Sequence, residues 1–137
     1  MAMFADLMTR PVAAADEWSP DVVYAGFSFG VMPAQQLAQT RPGARGALLM
    51  CGCLPASEFG GAWPEGVPVQ VHGKAADPFF EEDLEAAREL VESADSAELF
   101  LYPGEEHLFA DSSLPAYDAA AARLLTERVL AFLDKAK

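Results

Sequence analysis

The stretch 22-VVYAGFSFGVMPAQQLA-38 decides how the chain is read. The apolar run 22–25 is a short strand by its composition, and 29–39 has the spacing of a helix. Between them stands Gly26-Phe27-Ser28-Phe29-Gly30. A serine between two glycines at a strand-to-helix junction has a physical reading. It sits in a strained conformation on a sharp turn, where a side chain at position 26 or 30 is expected to clash. A helix starting at Phe29 directs backbone N–H groups towards Ser28. The plainer reading is a serine in an ordinary loop, and the rest of the chain has to decide.

Working outward, the pattern recurs. The runs 47-ALLMC-51, 69-VQVHG-73 and 98-ELFLY-102 read as three more strands. Each is apolar through most of its length rather than alternating, as in a sheet covered on both faces. Phe80, Leu84, Ala87, Val91 and Ala94 predict an amphipathic helix over 79–94. Ala121, Leu125, Val129, Phe132 and Leu133 predict a C-terminal helix. Residues 3–17 have helical spacing interrupted by Pro11. Arg41-Pro42-Gly43 closes the helix after Ser28, and 54-LPASEFGGAWPEG-66 reads as a loop. The class is α/β, with about four parallel strands flanked by helices. One domain spans 1–137: a helical N-terminal segment over 1–20, then 21–137 from the serine turn to the C-terminal helix.

Composition narrows the function. The 137 residues are 52% hydrophobic and carry a net charge of −12. Such an acidic chain offers no basic surface for nucleic acid. Cys51 and Cys53 are the only cysteines. They suit neither a disulfide framework nor a metal site and read as free, buried thiols. No apolar run is long enough to span a bilayer and no basic leader opens the chain, so the expected location is cytoplasmic.

A nucleophilic serine needs a base, and the base needs an orienting carboxylate. There are two histidines. His107 follows the fourth strand, in 101-LYPGEEHLF-109, and His72 lies at the end of the third, where a local hydrogen bond explains it. Asp77, in 72-HGKAADP-78, follows the third strand. Asp77 before Pro78 is also an ordinary helix cap. Sites in open parallel sheets form beyond the carboxyl ends of the strands. Ser28, Asp77 and His107 are each expected there, in the order Ser, Asp, His. Glu81, Glu82 and Asp83 read as a charged first helical turn, and Glu105 and Glu106 as solvated neighbours of His107.

At these residues the chain resembles the dienelactone hydrolase family of α/β-hydrolases. The matching pieces are GFSFG around Ser28, VPVQVHGKAADPFF around Asp77 and LYPGEEHLFADSS around His107. The resemblance runs from about Tyr24 to the C-terminus. It implies a cofactor-free hydrolase of small esters, with Ser28 as nucleophile, His107 as base and Asp77 as its orienter. The family's namesakes carry cysteine at the nucleophile position, so Ser28 favours simple esters over dienelactone. Thioesters and lactones are within reach of the same machinery. Family members carry several strands before the nucleophile strand, and the chain is N-terminally shortened by comparison. A loop in that part normally gives one oxyanion donor, which leaves the Phe29 N–H; losing one donor costs on the order of 10²–10³ in rate. The shortening also predicts an edge position for 22–26 and a partly bare sheet face. A homodimer or higher oligomer is therefore expected to bury them. A non-catalytic shortened hydrolase acting through oligomerisation is the alternative. Phe27, Phe59 and Trp63 are the expected walls of a substrate pocket, with Phe29 beside them.

Overall fold

The structure is a computed structural model and describes residues 15–17 and 19–136. Its four strands are β1 (Val23–Phe27), β2 (Gly46–Met50), β3 (Val69–Lys74) and β4 (Ala97–Tyr102). Its helices are α1 (Val31–Thr40), α2 (Pro78–Ser93) and α3 (Ala119–Lys135). All neighbouring strands are parallel, in the order β1-β2-β3-β4. The strands and helices expected over 22–135 are all present, with ends displaced by a residue or two. Of the helical segment expected over 3–17, only a short turn at Ala15–Glu17 falls within the described residues.

Two apolar layers hold the sheet. Ala47 and Leu49 of β2 point to the face covered by α1 and α2, against Val31, Leu37, Phe80 and Leu90. Leu48 and Met50, one residue out of step, point to the face covered by α3, against Leu125 and Phe132. Strand alternation feeds both layers, which is why β2 and β3 are buried end to end. β1 is an edge, pairing only with β2 among the described residues. On its α3 side Ala25 and Phe27 are exposed, so this corner of the sheet is uncovered.

The loop 54–66 packs onto α1. Gln35, fully buried, both donates to the Leu54 carbonyl at 2.8 Å and accepts from its N–H at 3.0 Å. Trp63 enters the α1/α2 core and its Nε1 donates to the Val67 carbonyl at 2.7 Å. His72 is locked in the core between the Tyr102 hydroxyl at 2.8 Å and Gln70 Oε1 at 2.9 Å. Burial lowers its pKa to about 4, with the charge of Arg128 acting the same way.

That burial makes a stability prediction. An unfolded His72 takes up a proton near pH 6.5, while the folded one holds out to about pH 4. The unfolded state therefore binds more protons in that window, and stability falls as pH drops through it. The share owed to His72 is on the order of 3 kcal/mol. Thermal melting from pH 7 to 4 should show the loss, and His72→Gln should flatten it. An equally steep variant would assign the acid sensitivity to other groups.

Candidate active site

Parallel strands deliver every chain exit to one edge of the sheet, and register sets the height of each exit. Phe27, Met50, His72 and Phe100 form one row across the four strands. β1 and β2 end at that row, whereas β3 and β4 run on by two residues to Lys74 and Tyr102. The loops after β3 and β4 therefore start higher and lean over the end of β1. That stagger brings together three residues far apart in sequence.

Ser28 opens a single 3-10 turn, Ser28–Gly30, before α1 begins at Val31. Its φ of 52° lies in the left-handed region, which costs a non-glycine residue of order 1–3 kcal/mol. Cys51, next beyond β2, and Leu108, next after His107, are left-handed too, at 63° and 55°. These three are the non-glycine residues with positive φ among the described residues, and all border the site. Gly26 has the expected steric reason: a Cβ there would lie 2.1 Å from the Gly30 carbonyl oxygen. The reading of Gly30 needs correction. Its φ is −65°, and a Cβ on it meets nothing within 4 Å. Gly30 matters through its carbonyl, which occupies the space that Gly26 leaves empty.

His107 Nε2 lies 3.0 Å from Ser28 Oγ. His107 Nδ1 lies 2.5 Å from Asp77 Oδ2. Asp77 is fully buried, and its second oxygen Oδ1 accepts from the Phe79 N–H at 2.9 Å, capping α2. The cap and the histidine partner are thus the same residue using different oxygens. Phe79 stands with its ring centroid 5.1 Å from that of His107, covering the imidazole while remaining 72% exposed itself. Asp83, one α2 turn beyond Phe79, accepts from the Cys53 N–H at 3.2 Å. Burial raises its pKa; the Cys53 N–H opposes this, the Glu82 charge adds to it and His107 opposes it. Burial also holds the thiols protonated, Cys51 up to about 11 and Cys53 to about 12.

A cleft of about 720 Å³ opens at Ser28. Phe27 and Phe29 form one wall; Leu108, Ala110 and Leu114, from the segment after His107, form the other. Asp111 and Ser112 complete it, and among the described residues no lysine or arginine lines it. Ser113 donates to the Asp111 carboxylate through its hydroxyl and N–H, which holds that carboxyl below its usual range. Of the three aromatic residues expected as pocket walls, Phe27 lines this cleft. Phe59 and Trp63 do not line this cleft: Gln35 anchors the start of loop 54–66 to α1, and Trp63 is buried in the α1/α2 core with its Nε1 on the Val67 carbonyl. The second wall was missed because 108–114 has no strand or helix period. The one available signal was its place directly after His107. Among the described residues no group of three or more metal-ligating side chains gathers, and no helix is long and apolar enough to cross a membrane.

A four-stranded parallel sheet between helices, with this serine turn at the end of an edge strand, defines an α/β-hydrolase architecture. A family model for the dienelactone hydrolase family matches residues 4–137. The chain belongs to that family. Among solved structures it resembles a candidate dienelactone hydrolase from Klebsiella pneumoniae, with 23% identity and a TM-score of 0.67, over 93% of this chain and 58% of that one. It also resembles a dienelactone hydrolase-like promiscuous phosphotriesterase from metagenomic libraries, with 23% identity and a TM-score of 0.70, over 95% and 62%. A candidate hydrolase of the alpha/beta superfamily from Xanthomonas campestris matches at 25% identity and a TM-score of 0.51, over 95% and 68%. The chain thus spans about three fifths of the length of the first two. No curated protein matches it in sequence.

The two glycines of the turn should respond oppositely. Gly26→Ala should cost about 2–3 kcal/mol, since backbone must move to admit the methyl group. Gly30→Ala should be neutral or stabilising by about 0.4–1 kcal/mol, because its helical conformation suits alanine. Urea unfolding of the two variants checks this; equal losses would contradict the assignment of the close contact to Gly26 alone.

Proposed function

We propose that this chain is a serine hydrolase of small, uncharged carboxylic esters. The observation that carries the reading is the hydrogen-bonded series Ser28 Oγ, His107, Asp77, at 3.0 and 2.5 Å, at the mouth of an apolar cleft. In this reading Ser28 Oγ attacks the ester carbonyl carbon and its proton passes to His107 Nε2. Asp77 holds the imidazole with Nδ1 protonated and stabilises the imidazolium. The Phe29 N–H is the proposed oxyanion donor, being on the residue after the nucleophile. His107 then protonates the leaving alkoxide, giving an acyl-enzyme. A water that loses its proton to His107 releases the acid and restores Ser28. The sequence of steps calls for no metal or organic cofactor.

The cleft supports the substrate class. Its walls are aromatic and aliphatic, and among the described residues its one charged side chain is the Asp111 carboxylate. An acyl group carrying its own carboxylate would meet repulsion there and find no cation to pair with. One structural neighbour is described as a promiscuous phosphotriesterase, so uncharged phosphotriesters belong in the same substrate panel. The proposed compartment is the cytoplasm, in keeping with two free thiols. The proposed assembly is a homodimer over the open edge of β1, supported by the exposed Ala25 and Phe27. A monomer at micromolar concentration in sedimentation velocity would remove it.

The direct test is labelling by a fluorophosphonate, read by intact mass and peptide mapping. One adduct on Ser28 is expected, absent in Ser28→Ala and suppressed in His107→Ala. A folded protein that takes no label would end the hydrolase reading. Asp77→Asn keeps a cap for α2 but presents the wrong partner to His107. Its ester turnover should fall on the order of 10⁴-fold.

A further inference from the structure

We propose that Lys74 is the positioning residue that holds His107 against both Ser28 and Asp77, an inference that rests on the hydrolase reading of that site. Lys74 is the last residue of β3, three before Asp77, and its side chain is 1% exposed. A buried ammonium needs partners, and all of its partners come from the segment that carries His107. Its Nζ donates to the Pro103 carbonyl at 2.9 Å, where that segment leaves β4. It pairs with Glu106, immediately before His107, at 3.4 Å. It donates to Asp118 Oδ2, where the segment ends at the cap of α3. The Phe109 ring lies under it, 5.1 Å away.

One point charge therefore gathers the start, middle and end of residues 103–118. Two backbone bonds from the same turn reinforce the grip: Ala75 N–H to the Tyr102 carbonyl at 2.8 Å and Ala76 N–H to the Gly104 carbonyl at 2.9 Å. The turn that carries Asp77 is thus fastened to the segment that carries His107. Without the ammonium, two neighbouring carboxylates repel each other, and the Pro103 carbonyl loses its donor. His107 would then keep its chemistry and lose its place. Displacement of a reacting group by about 1 Å costs on the order of 10²-fold in rate.

The experiment compares wild type with Lys74→Met, which keeps the stem and removes the charge. The readouts are the rate of fluorophosphonate labelling at Ser28 and the far-downfield proton resonance of the His107 Nδ1–H bonded to Asp77. The expected result is folded protein that labels about 10²-fold more slowly, with that resonance weakened or lost. Folded Lys74→Met that labels at the wild-type rate with the resonance intact overturns the proposal. If Lys74→Met does not fold, Glu106→Gln combined with Asp118→Asn decides. Both carboxylates are partly exposed, at 43% and 33%, and Asn still caps α3. A labelling rate at least about tenfold lower supports the proposal and an unchanged rate overturns it. Wild type that takes no label ends the hydrolase reading alone. The resonance then still reports, by its loss or survival in the variants, whether Lys74 holds His107.

Discussion

The arrangement hangs on the Asp77 carboxylate. It is fully buried, and a buried carboxylate persists only where its oxygens find donors. Oδ1 takes the Phe79 N–H, which fixes the carboxylate to the first turn of α2. Oδ2 is then aimed across the end of the sheet, and His107 is the group that meets it. α2 is held in turn by Phe80 and Leu90 in the core, so the packing of the apolar face of an amphipathic helix sets the orientation of an imidazole. Pro78 contributes by starting α2 where its missing N–H leaves nothing unsatisfied.

The same economy explains what was legible in the sequence. The strands could be read because both faces of the sheet are covered, so β2 and β3 are buried end to end, β2 with apolar side chains and β3 with Gln70, His72 and Lys74 buried beside its valines. Ser28 and Asp77 could be read because turn and cap chemistry demands particular residues at fixed offsets: glycine before the close contact, Asp before Pro. His107 stood out because only two histidines exist and it lies past the end of the fourth strand; the structure then brings it to Ser28 and Asp77. The rest was illegible for a physical reason. Loop 54–66 carries Phe59 and Trp63, and aromatic residues in a loop read equally as pocket walls or as packing. What settles Trp63 is its packing against residues of other elements in the α1/α2 core, which no local pattern connects to it. Lys74 looks in sequence like a solvated strand end. Its burial depends on Glu106 and Asp118, which lie 32 and 44 residues further on.

The position of the strain fits the same geometry. Ser28 and Cys51 are the first residues past the shared row that ends β1 and β2, and both are left-handed. Each chain has to leave a well-bonded ladder and turn at once. At Ser28 the turn leads into a helix whose start is pressed so close that position 26 has no room for a methyl group. The strands after it run two residues longer before they turn, and so reach over the serine. The length difference between neighbouring strands goes with a spacing in which Ser28 stands one hydrogen bond from His107 and two from Asp77.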